Sequence, residues 1–506
     1  IDERTLFEVY YPPFEGAVEA GIGSMMCSYN RLSGIYSCEN PVTLGHLKNE
    51  LGFKGFVMSD WGATHSPSMH QGLDMEMPVG MATNALSLAI RKVNETDVNG
   101  AVHRILHMMY DKGTFDENIT QWDSKKFFIN VSTPEHIDLA RKFSAEGTVM
   151  LKNKDAVLPL KKGAKLAIIG FATNDSLSYG HGSGEVPPSY FVSPLVGIRA
   201  QAGEGAQVTY NSGENIDEAV ALAKDADYAI IFVGASASEG ADRKNLSLDG
   251  GCRMYSMDKK LVQCEGNDDQ QNLLVQSVAA ANKRTVVVAS VPGAFLLPWA
   301  HEVSSILVNF MPGQQAGNAI ADVLFGKVNP SAKMPITLPN KENEINFDQG
   351  QYPGIRGGDN LVHATYSEQL LVGYRYYDAH NIEFDTGFPF GHGLSYTEFA
   401  YSGLKVDGGA VEFTVSNTGS VPGREIPQLY LSFPASAGEP PKQLKGFQKT
   451  KTLQPGESVK VQMALRARDT SIWDTAQHKW ASVPGTFGLS VGASSRDIRL
   501  TGSMQV

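Results

Sequence analysis

Residues 55–63, GFVMSDWGA, place one carboxylate at the end of an apolar run and a tryptophan directly after it. The apolar residues before Asp60 predict a buried strand. The neighbouring segments GIGSMMCSY, VTLGHLKNELG and GAVHRILHMMYDKG alternate between strand and helix patterns, which predicts a parallel α/β arrangement. In such an arrangement the carboxyl ends of the strands form the ligand-binding face. Asp60 is therefore expected to point into a pocket.

Asp60 and Trp61 each have a structural interpretation beside the functional one. An aspartate before a turn is commonly a helix N-cap, and tryptophans in structural positions outnumber those that bind sugars. An indole beside a carboxylate is also typical of sugar sites, because the flat ring packs on the apolar face of a pyranose. These two residues alone leave both interpretations open.

Length and composition define the general class of the protein. The chain has 506 residues, too many for one hydrophobic core, so about two to four domains are expected. A hydrophobic share of 42% with 19% charged residues is ordinary for a globular protein. The net charge of −11 argues against a nucleic-acid partner or an anionic membrane surface. The sequence contains no apolar stretch of about 18 residues, so no transmembrane helix is predicted.

The pattern along the chain predicts separate domains. Residues 1–115 supply about three strands, too few for an eight-stranded α/β barrel of about 250 residues, so a second polypeptide or a missing N-terminal half is implied. Residues 116–340, beginning with a linker, have apolar strands between amphipathic helices and predict an α/β sandwich. Residues 341–399 predict a connector. Residues 400–506 predict an antiparallel β-sandwich of fibronectin or immunoglobulin type.

Cysteines and glycosylation motifs bear on the compartment. The short spacings of Cys27 with Cys38 and of Cys252 with Cys264 predict two loop-closing disulfides, although four free buried thiols remain an alternative. Five Asn-x-Ser/Thr motifs begin at Asn94, Asn118, Asn130, Asn174 and Asn245. These motifs support a secretory route. A secreted or extracellular protein, or one in a lysosomal or vacuolar lumen, is expected.

A second carboxylate, Glu239, follows another predicted strand. It lies in the Ser-, Ala- and Gly-rich loop of DYAIIFVGASASEGADRKNLSL, so it also lies beyond the carboxyl end of a strand. Taken alone, Glu239 is better interpreted as a solvated loop glutamate or a first-turn helix residue. Paired with Asp60, it supplies the nucleophile and the proton donor that retaining hydrolysis of a glycosidic bond requires, at a separation of about 5 to 5.5 Å.

Seven long motifs cover nearly every segment of the chain. They are GSMMCSYNRLSGIYSCENPVTL, ELGFKGFVMSDWGATHS, GLDMEMP, GHGSGEVPPSYFVSPLVGI, SEGADRKNLSL, MPGQQAGNAIADVLFGKVNPSAKMPITLP and FPFGHGLSYTEFAYSGL. Together they resemble the family 3 glycoside hydrolases, in particular the three-domain β-glucosidases, and they follow the family's order. The resemblance implies a multidomain α/β fold: the C-terminal part of a (β/α)8-type barrel, then an α/β sandwich, then a fibronectin type III-like β-sandwich.

The resemblance also implies a role for each matching residue. Asp60 corresponds to the covalent nucleophile, and Trp61 is similar to the platform at the entrance to the sugar site. Tyr29, from CSYN, resembles a residue that hydrogen-bonds near the nucleophile, and Ser183, from the GSG turn, resembles a contact to the bound sugar. Glu239 matches the acid/base, which must be protonated while Asp60 stays ionised.

The acid/base assignment departs from the family pattern at one position. Where many members carry an aromatic residue after EG, this chain has Ala241, which is expected to alter the aglycone subsite. Placement of the acid is also the family's least regular feature. Glu185 and Glu265 are therefore alternatives to Glu239.

No cofactor is expected. GHGSGEV lacks the G-x-G-x-x-G spacing of a dinucleotide site, and the histidines show no H-E-x-x-H spacing of a metal site. His65, His181 and His392 are expected to be structural or pocket-lining. The hydrolysis that the resemblance implies needs no metal.

The family's first barrel strands, with the side chains that hold the sugar hydroxyls, have no counterpart in this sequence. We therefore expect a second polypeptide, from a cleaved precursor or a separate gene, and a heterodimer in which this chain is the C-terminal subunit.

The activity implied is that of a retaining exo-β-glucosidase acting on terminal non-reducing β-D-glucosyl residues of oligosaccharides or small-molecule β-glucosides. One alternative is a β-xylosidase or another exo-glycosidase of the family. Trp61 and the complete second domain disfavour it. The other alternative is an inactive structural or carbohydrate-binding subunit, and retention of the matching site residues argues against it.

Overall fold

The structure is a computed structural model in which the chain forms two compact units. It describes residues 1–78, 93–116, 129–173, 177–180, 182–240, 242–250, 269–407 and 409–506. Unit 1 comprises Ile1–Asn130, Pro353–Leu370 and Trp473–Lys479, and unit 2 comprises Val131–Tyr352, Leu371–Ile472 and Trp480–Val506. Seven residues discussed above lie outside the described residues: Asn118, Asn174, His181, Ala241, Cys252, Cys264 and Glu265.

Residues 1–116 contain the first strands and helices. The described helices are α1 (Glu3–Thr5), α2 (Pro12–Glu19), α3 (Pro41–Gly45) and α4 (Glu95–Asp111), with π-helical turns at Leu6–Tyr10 and His46–Glu50. The strands are β1 (Ser24–Cys27), β2 (Arg31–Leu32), β3 (Ile35–Tyr36) and β4 (Phe56–Ser59). β1 and β4 pair in parallel, with Cys27 opposite Ser59, as the βα pattern predicts.

The β1–β4 sheet has one face in a small core. Val57 and Ser59 are buried, and Val57 packs with Leu44, Phe53 and Leu73. Successive residues of a strand point to opposite faces. Met26, on the other face, is 51% exposed. Asp60 follows the alternation of the second face, away from this core.

The predicted disulfide between Cys27 and Cys38 is present, with a Cα–Cα distance of 5.1 Å. It closes the loop that carries the β2–β3 hairpin, immediately after β1. The loop at the carboxyl end of β1 is therefore covalently held.

The middle of the chain forms an α/β sandwich. Its helices are α5 (Pro134–Gly147), α6 (Pro194–Gln201), α7 (Ile216–Lys224), α8 (Gln270–Ala281), α9 (Ala316–Leu324) and α10 (Tyr374–Ala379). Its strands are β5 (Val149–Asn153), β6 (Lys165–Gly170), β7 (Gln207–Asn211), β8 (Tyr228–Gly234), β9 (Thr285–Ser290) and β10 (Ser305–Val308), followed by a short hairpin in unit 1, β11 (Ile355–Arg356) and β12 (Val362–His363).

The main sheet has the strand order β5-β10-β9-β8-β6-β7. β5 is antiparallel to β10, and the remaining neighbours are parallel. Separate hydrophobic clusters cover the two faces, so β8, β9 and β10 are buried along their whole length. This burial on both faces explains why the central strands are unbroken apolar runs.

The last part of the chain is a β-sandwich. Its strands are β13 (Phe399–Asp407), β14 (Ala410–Asn417), β15 (Gln428–Ser432), β16 (Gln443–Phe447), β17 (Ser458–Ala464), β18 (Ser471–Asp474), β19 (Lys479–Ser482), β20 (Thr486–Gly492) and β21 (Ile498–Gln505). They form a sheet β13-β14-β17, a sheet β16-β15-β20-β21 and the hairpin β18-β19. β14 alternates buried and half-buried residues, as expected for a strand with one face in a core.

Candidate functional site

Asp60 lies at the carboxyl end of β4. Its backbone N–H donates to the carbonyl of Cys27 at 3.0 Å, and its Oδ1 accepts the backbone N–H of Trp61 at 2.7 Å. Residues 61–78, all of them described, contain no helix, so Asp60 is not a helix N-cap. The N-cap interpretation of Asp60 was wrong, and the carboxylate is held by the residue that follows it.

Two exposed aromatic side chains occupy the same strand ends. Trp61 directly follows Asp60, and Tyr29 lies two residues beyond β1; their exposed fractions are 47% and 49%. Exposed rings of this size suit packing against the apolar face of a sugar. Unit 1 therefore brings three of the predicted site residues, Asp60, Trp61 and Tyr29, to one edge of the β1–β4 pair.

The segment GLDMEMP fixes the backbone on both sides of Asp60. Ser59 donates its backbone N–H to the carbonyl of Met75 at 2.9 Å, and its Oγ accepts the N–H of Met77 at 2.8 Å. Gly62 donates its N–H to the carbonyl of Met77 at 3.1 Å. Asp60 thus lies between backbone contacts on either side, which restrict where its carboxylate can point.

Asp74 is a structural residue that the sequence analysis missed. Its side chain is fully buried, and it pairs with Lys48 at 2.8 Å and with Arg104 at 2.7 Å. It also accepts the backbone N–H of Val57 at 2.8 Å. Burial lowers the pKa of Lys48, while the hydrogen bond to Asp74 opposes that shift. One carboxylate therefore joins β4, α4 and the π-helical turn behind the site.

Glu76, two residues further on, is a second buried carboxylate in this segment. The residue is 5% exposed, and among the described residues its Oε1 has no hydrogen-bond partner. Burial raises the pKa of the Glu76 carboxyl. A buried titratable group within the segment that supports Asp60 was not foreseen, and an acidic residue inside the apolar GLDMEMP is the only sequence signal for it.

In unit 2 the predicted site residues lie where the strand order of the sheet reverses. From β6 the chain passes to β7 on one side, and β8, β9 and β10 follow on the other side. Loops at the carboxyl ends on either side of such a reversal form the usual ligand crevice of an open α/β sheet. Ser183 follows β6, and Glu239 follows β8. The expectation that Glu239 lies beyond the carboxyl end of a strand is confirmed.

A short hydrogen bond joins the Ser183 and Glu239 loops. Ser183 donates its backbone N–H to Oε2 of Glu239 at 2.6 Å, and both residues are exposed. Gly182, with φ +100°, makes this approach feasible, because a Cβ atom there would lie 2.5 Å from the Cβ of Glu239. The alternative acid, Glu185, is exposed, and its N–H donates to the carbonyl of Gly182 at 3.1 Å within the same turn.

Two of the histidines named above have structural contacts. The His65 ring stacks on Tyr36, with ring centroids 3.6 Å apart. Nε2 of His392 donates to the carbonyl of Leu151 at 2.8 Å. In the part of the chain that the structure describes, no three His, Cys, Asp or Glu side chains are placed to hold a metal ion together. Among those same residues, no helix combines the length and the apolar character needed to cross a bilayer.

Three of the predicted glycosylation motifs lie within the described residues. Asn94 is exposed and caps α4, with Oδ1 accepting the N–H of Asp97 at 2.8 Å. Asn130 is exposed, and Asn245 is half-buried. A glycan is attached through the side-chain nitrogen, so the cap at Asn94 is compatible with it. Glycosylation itself stays a prediction.

Three protein-family models match successive segments of the chain. The Glycosyl hydrolase family 3 N terminal domain matches residues 1–108, the Glycosyl hydrolase family 3 C-terminal domain matches residues 148–396, and a Fibronectin type III-like domain matches residues 425–495. The predicted boundaries at 115, 340 and 399 are not tested by these matches and stay predictions.

Three similar proteins illustrate the relationship. "Probable beta-glucosidase L" of Emericella nidulans is 36% identical over 100% of this chain and 74% of its own length. The structure of beta-D-glucoside glucohydrolase from Trichoderma reesei is 35% identical, with a TM-score of 0.86 over 100% of this chain and 75% of that one. The structure of DesR, a beta-glucosidase from Streptomyces venezuelae in complex with D-glucose, is 28% identical, with a TM-score of 0.87 over 100% of this chain and 79% of that one.

The α/β domains, the β-sandwich and the carboxylates at strand ends define a glycoside hydrolase. More narrowly, the chain belongs to glycosyl hydrolase family 3, and the resemblance seen in the sequence is confirmed. The relatives carry their additional length within one polypeptide, so the expected second polypeptide has no support from them.

Proposed function

We propose that this glycoside hydrolase is a retaining exo-β-glucosidase that removes terminal non-reducing β-D-glucosyl residues from oligosaccharides or small-molecule glucosides. The observation that carries the proposal is the position of Asp60 at a parallel strand end, with its carboxylate oriented by the Trp61 N–H and an exposed indole beside it. The names of the similar proteins favour glucose over xylose.

Asp60 is proposed as the nucleophile. Because its Oδ1 accepts the Trp61 N–H, Oδ2 is the oxygen assigned to attack the anomeric carbon. The bond from that carbon to the glycosidic oxygen breaks as the bond to Asp60 forms, which gives a covalent glycosyl-enzyme. Trp61 is proposed to pack against the sugar, and Tyr29 to hydrogen-bond near the nucleophile.

Glu239 is proposed as the acid and then the base. Its Oε2 accepts the Ser183 N–H, so the proton for the leaving oxygen is assigned to Oε1. In the second step Glu239 takes a proton from water, the water oxygen attacks the anomeric carbon, and Asp60 is released as a carboxylate. Two displacements at one carbon retain the β configuration. Ser183 is proposed as a contact to the sugar.

The compartment belongs to the same proposal. The Cys27–Cys38 disulfide suits an oxidising compartment, and the glycosylation motifs agree with it. We therefore propose a secreted or luminal glycoprotein.

The test is hydrolysis by the native protein of an aryl β-glucoside and the matched aryl β-xyloside, with the anomer of the first-formed sugar followed by NMR. An activated 2-fluoro glucoside is incubated in parallel, and the labelled peptide is mapped by mass spectrometry. We expect faster turnover of the glucoside, β-glucose as first product and a label on Asp60. Faster hydrolysis of the xyloside would show that the substrate is a β-xyloside and not a β-glucoside. α-Glucose as the first product would contradict the retaining mechanism. If there were neither hydrolysis nor a label, the alternative of a structural or carbohydrate-binding protein would stand.

A further inference from the structure

The last residue of β8, Gly234, is in register with Ser290 of β9 on one side, and on its β6 side it is paired by a side chain instead of a strand. Gln271, near the start of α8, accepts the backbone N–H of Gly234 with Oε1 at 2.9 Å and donates Nε2 to the Gly234 carbonyl at 3.0 Å. Gln271 is 8% exposed, and Gly234 is buried. A single amide therefore satisfies both backbone groups of a buried residue, as a neighbouring strand ordinarily does.

The sheet topology explains why this position needs a partner. The backbone of Phe171 donates to the carbonyl of Phe232 at 3.0 Å, and after this contact the chain following β6 departs towards the Ser183 loop. Alternate residues of a strand direct their N–H and C=O groups to the same neighbour, so Gly234 faces the side that β6 has left. The Gln271 side chain therefore makes the hydrogen bonds to Gly234 that β6 would make if it extended further.

Gln271 is itself held by the far end of the Glu239 loop. Its Nε2 donates to Oδ1 of Asp249 at 2.9 Å, and its backbone N–H donates to Oδ2 of Asp249 at 2.8 Å. Glu239 lies five residues after Gly234 and ten before Asp249. One side chain thus joins the two ends of the segment that carries Glu239.

The Ser183 loop also packs on this point. A Cβ atom at Gly234 would lie 2.7 Å from Cδ1 of Leu177 and 2.8 Å from the carbonyl oxygen of Ser290. Leu177 precedes Ser183 in the loop after β6. Gly234 therefore begins the Glu239 loop and also lies against the Ser183 loop, the two loops that meet through the Ser183–Glu239 hydrogen bond.

We propose that Gln271 is a positioning residue for Glu239. By joining Gly234 to Asp249, Gln271 sets the placement of the acid relative to the leaving oxygen, while it touches neither substrate nor reacting atom. The inference rests on the proposed function, in which Glu239 protonates the leaving group. The proposal predicts that loss of the Gln271 amide slows only those reactions in which the leaving group needs a proton from Glu239.

The experiment compares Gln271→Met, which keeps side-chain volume and loses the three side-chain hydrogen bonds to Gly234 and Asp249, with the matched variant Gln276→Met on the same helix. Gln276 contacts Glu302 at the surface. kcat/KM is measured on 2,4-dinitrophenyl β-glucoside, whose leaving group needs no proton, and on phenyl β-glucoside, whose leaving group does. Glu239→Ala is the reference for complete loss of the acid, and Asp249→Asn serves as a second variant should Gln271→Met fail to fold.

For Gln271→Met we expect kcat/KM on the phenyl glucoside to fall about 10- to 100-fold, with less than about threefold change on the dinitrophenyl glucoside. The acidic-group limb of the pH profile should shift, and Gln276→Met should match the wild type. Equal losses on both substrates, or no loss, would overturn the positioning role while the proposed function stands. A wild type inactive on both substrates, or Glu239→Ala without leaving-group dependence, would overturn the proposed function and this inference with it.

Discussion

The predicted nucleophile and the predicted acid/base are held in different ways. Asp60 directly follows β4, with backbone hydrogen bonds to a neighbouring strand and to the GLDMEMP segment on either side of it. Glu239 lies five residues beyond β8, is exposed, and accepts a hydrogen bond from a loop 56 residues away in sequence. The position of the first depends on local strand geometry. The position of the second depends on two loops meeting, which explains why the local sequence around Glu239 is less informative.

The largest expected effect on activity comes from removing the carboxylate of Asp60 at the end of β4. Asp60→Ala should lower kcat by roughly 10⁴-fold or more, the scale found when a nucleophile is deleted. Added azide should restore part of the turnover of an activated aryl β-glucoside. It should give the α-glucosyl azide, because azide then attacks in a single displacement from the face that Asp60 has vacated.

A variant of Glu239, the carboxylate in the loop after β8, is the control for that experiment. Glu239→Ala leaves Asp60 in place, so azide should react with the glycosyl-enzyme and give the β-glucosyl azide after two displacements. NMR of the azide products separates the roles. The same anomer from both variants would contradict the assignment of nucleophile and acid/base.

The second largest effect is expected from Asp74, whose ion pairs hold the β4 region behind Asp60. Asp74→Asn leaves Lys48 and Arg104 without their buried partner, and loss of one member of such a group costs about 3–5 kcal/mol of unfolding free energy. Thermal unfolding monitored by circular dichroism should show a clearly lower midpoint. The control is Asp111→Asn, which breaks a surface pair with Lys112 and should leave the midpoint almost unchanged. Equal midpoints for the two variants would show that Asp74 does not stabilise the β4 region.

A substitution at Gly182 should disrupt the contact between the Ser183 loop and the Glu239 loop. Gly182→Ala would place a methyl group 2.5 Å from the Cβ of Glu239 at a backbone φ of +100°, so one loop must move. A displacement of about 1 Å in a reacting group can cost about 10²-fold in rate, and we expect kcat/KM on a phenyl glucoside to fall by up to that factor.

Gly184 is the matched control for Gly182. It lies in the same turn, and a Cβ atom there would have no atom of the described residues within 4 Å. Gly184→Ala should therefore keep wild-type kcat/KM. If Gly182→Ala also kept it, the close approach of Ser183 to Glu239 would have no part in the reaction.

The sequence was most informative where the fold is repetitive. The apolar runs of β8, β9 and β10 predicted the buried strands, and strand ends then indicated Asp60 and Glu239. β7 gives a weaker sequence signal, because QVTYN lies at the exposed edge of the sheet and has no continuous apolar run. Edge strands carry less of the burial that produces a recognisable pattern.

Contacts between distant segments could not be predicted. Asp74 joins Lys48 and Arg104, which are 26 and 30 residues away, and no spacing rule connects them. The close approach of Gly182 to Glu239 is likewise a contact between two loops that are distant in sequence. Unit 1 includes residues 353–370 and 473–479, which a division of the sequence into consecutive domains assigned to the connector and the β-sandwich.

The smallest expected effect concerns Glu76, whose carboxyl has a pKa raised by burial. A raised pKa means that the folded state favours the protonated carboxyl. The resulting stabilisation is complete below the ordinary glutamate pKa of about 4.3 and is lost as pH rises through the folded-state value. Glu76→Gln removes this dependence, so the variant should be more stable than the wild type near neutral pH and show little or no difference near pH 4.

Thermal midpoints of wild type and Glu76→Gln across pH 4 to 8 test this expectation. Exposed Glu95, in the first turn of α4, gives the control variant Glu95→Gln, which removes a carboxylate at the surface. Parallel midpoint curves for wild type and Glu76→Gln would show that Glu76 does not change its protonation on unfolding. A growing difference towards neutral pH would instead locate part of the pH sensitivity of the fold in the segment that holds Asp60, and not in the loops that hold Glu239.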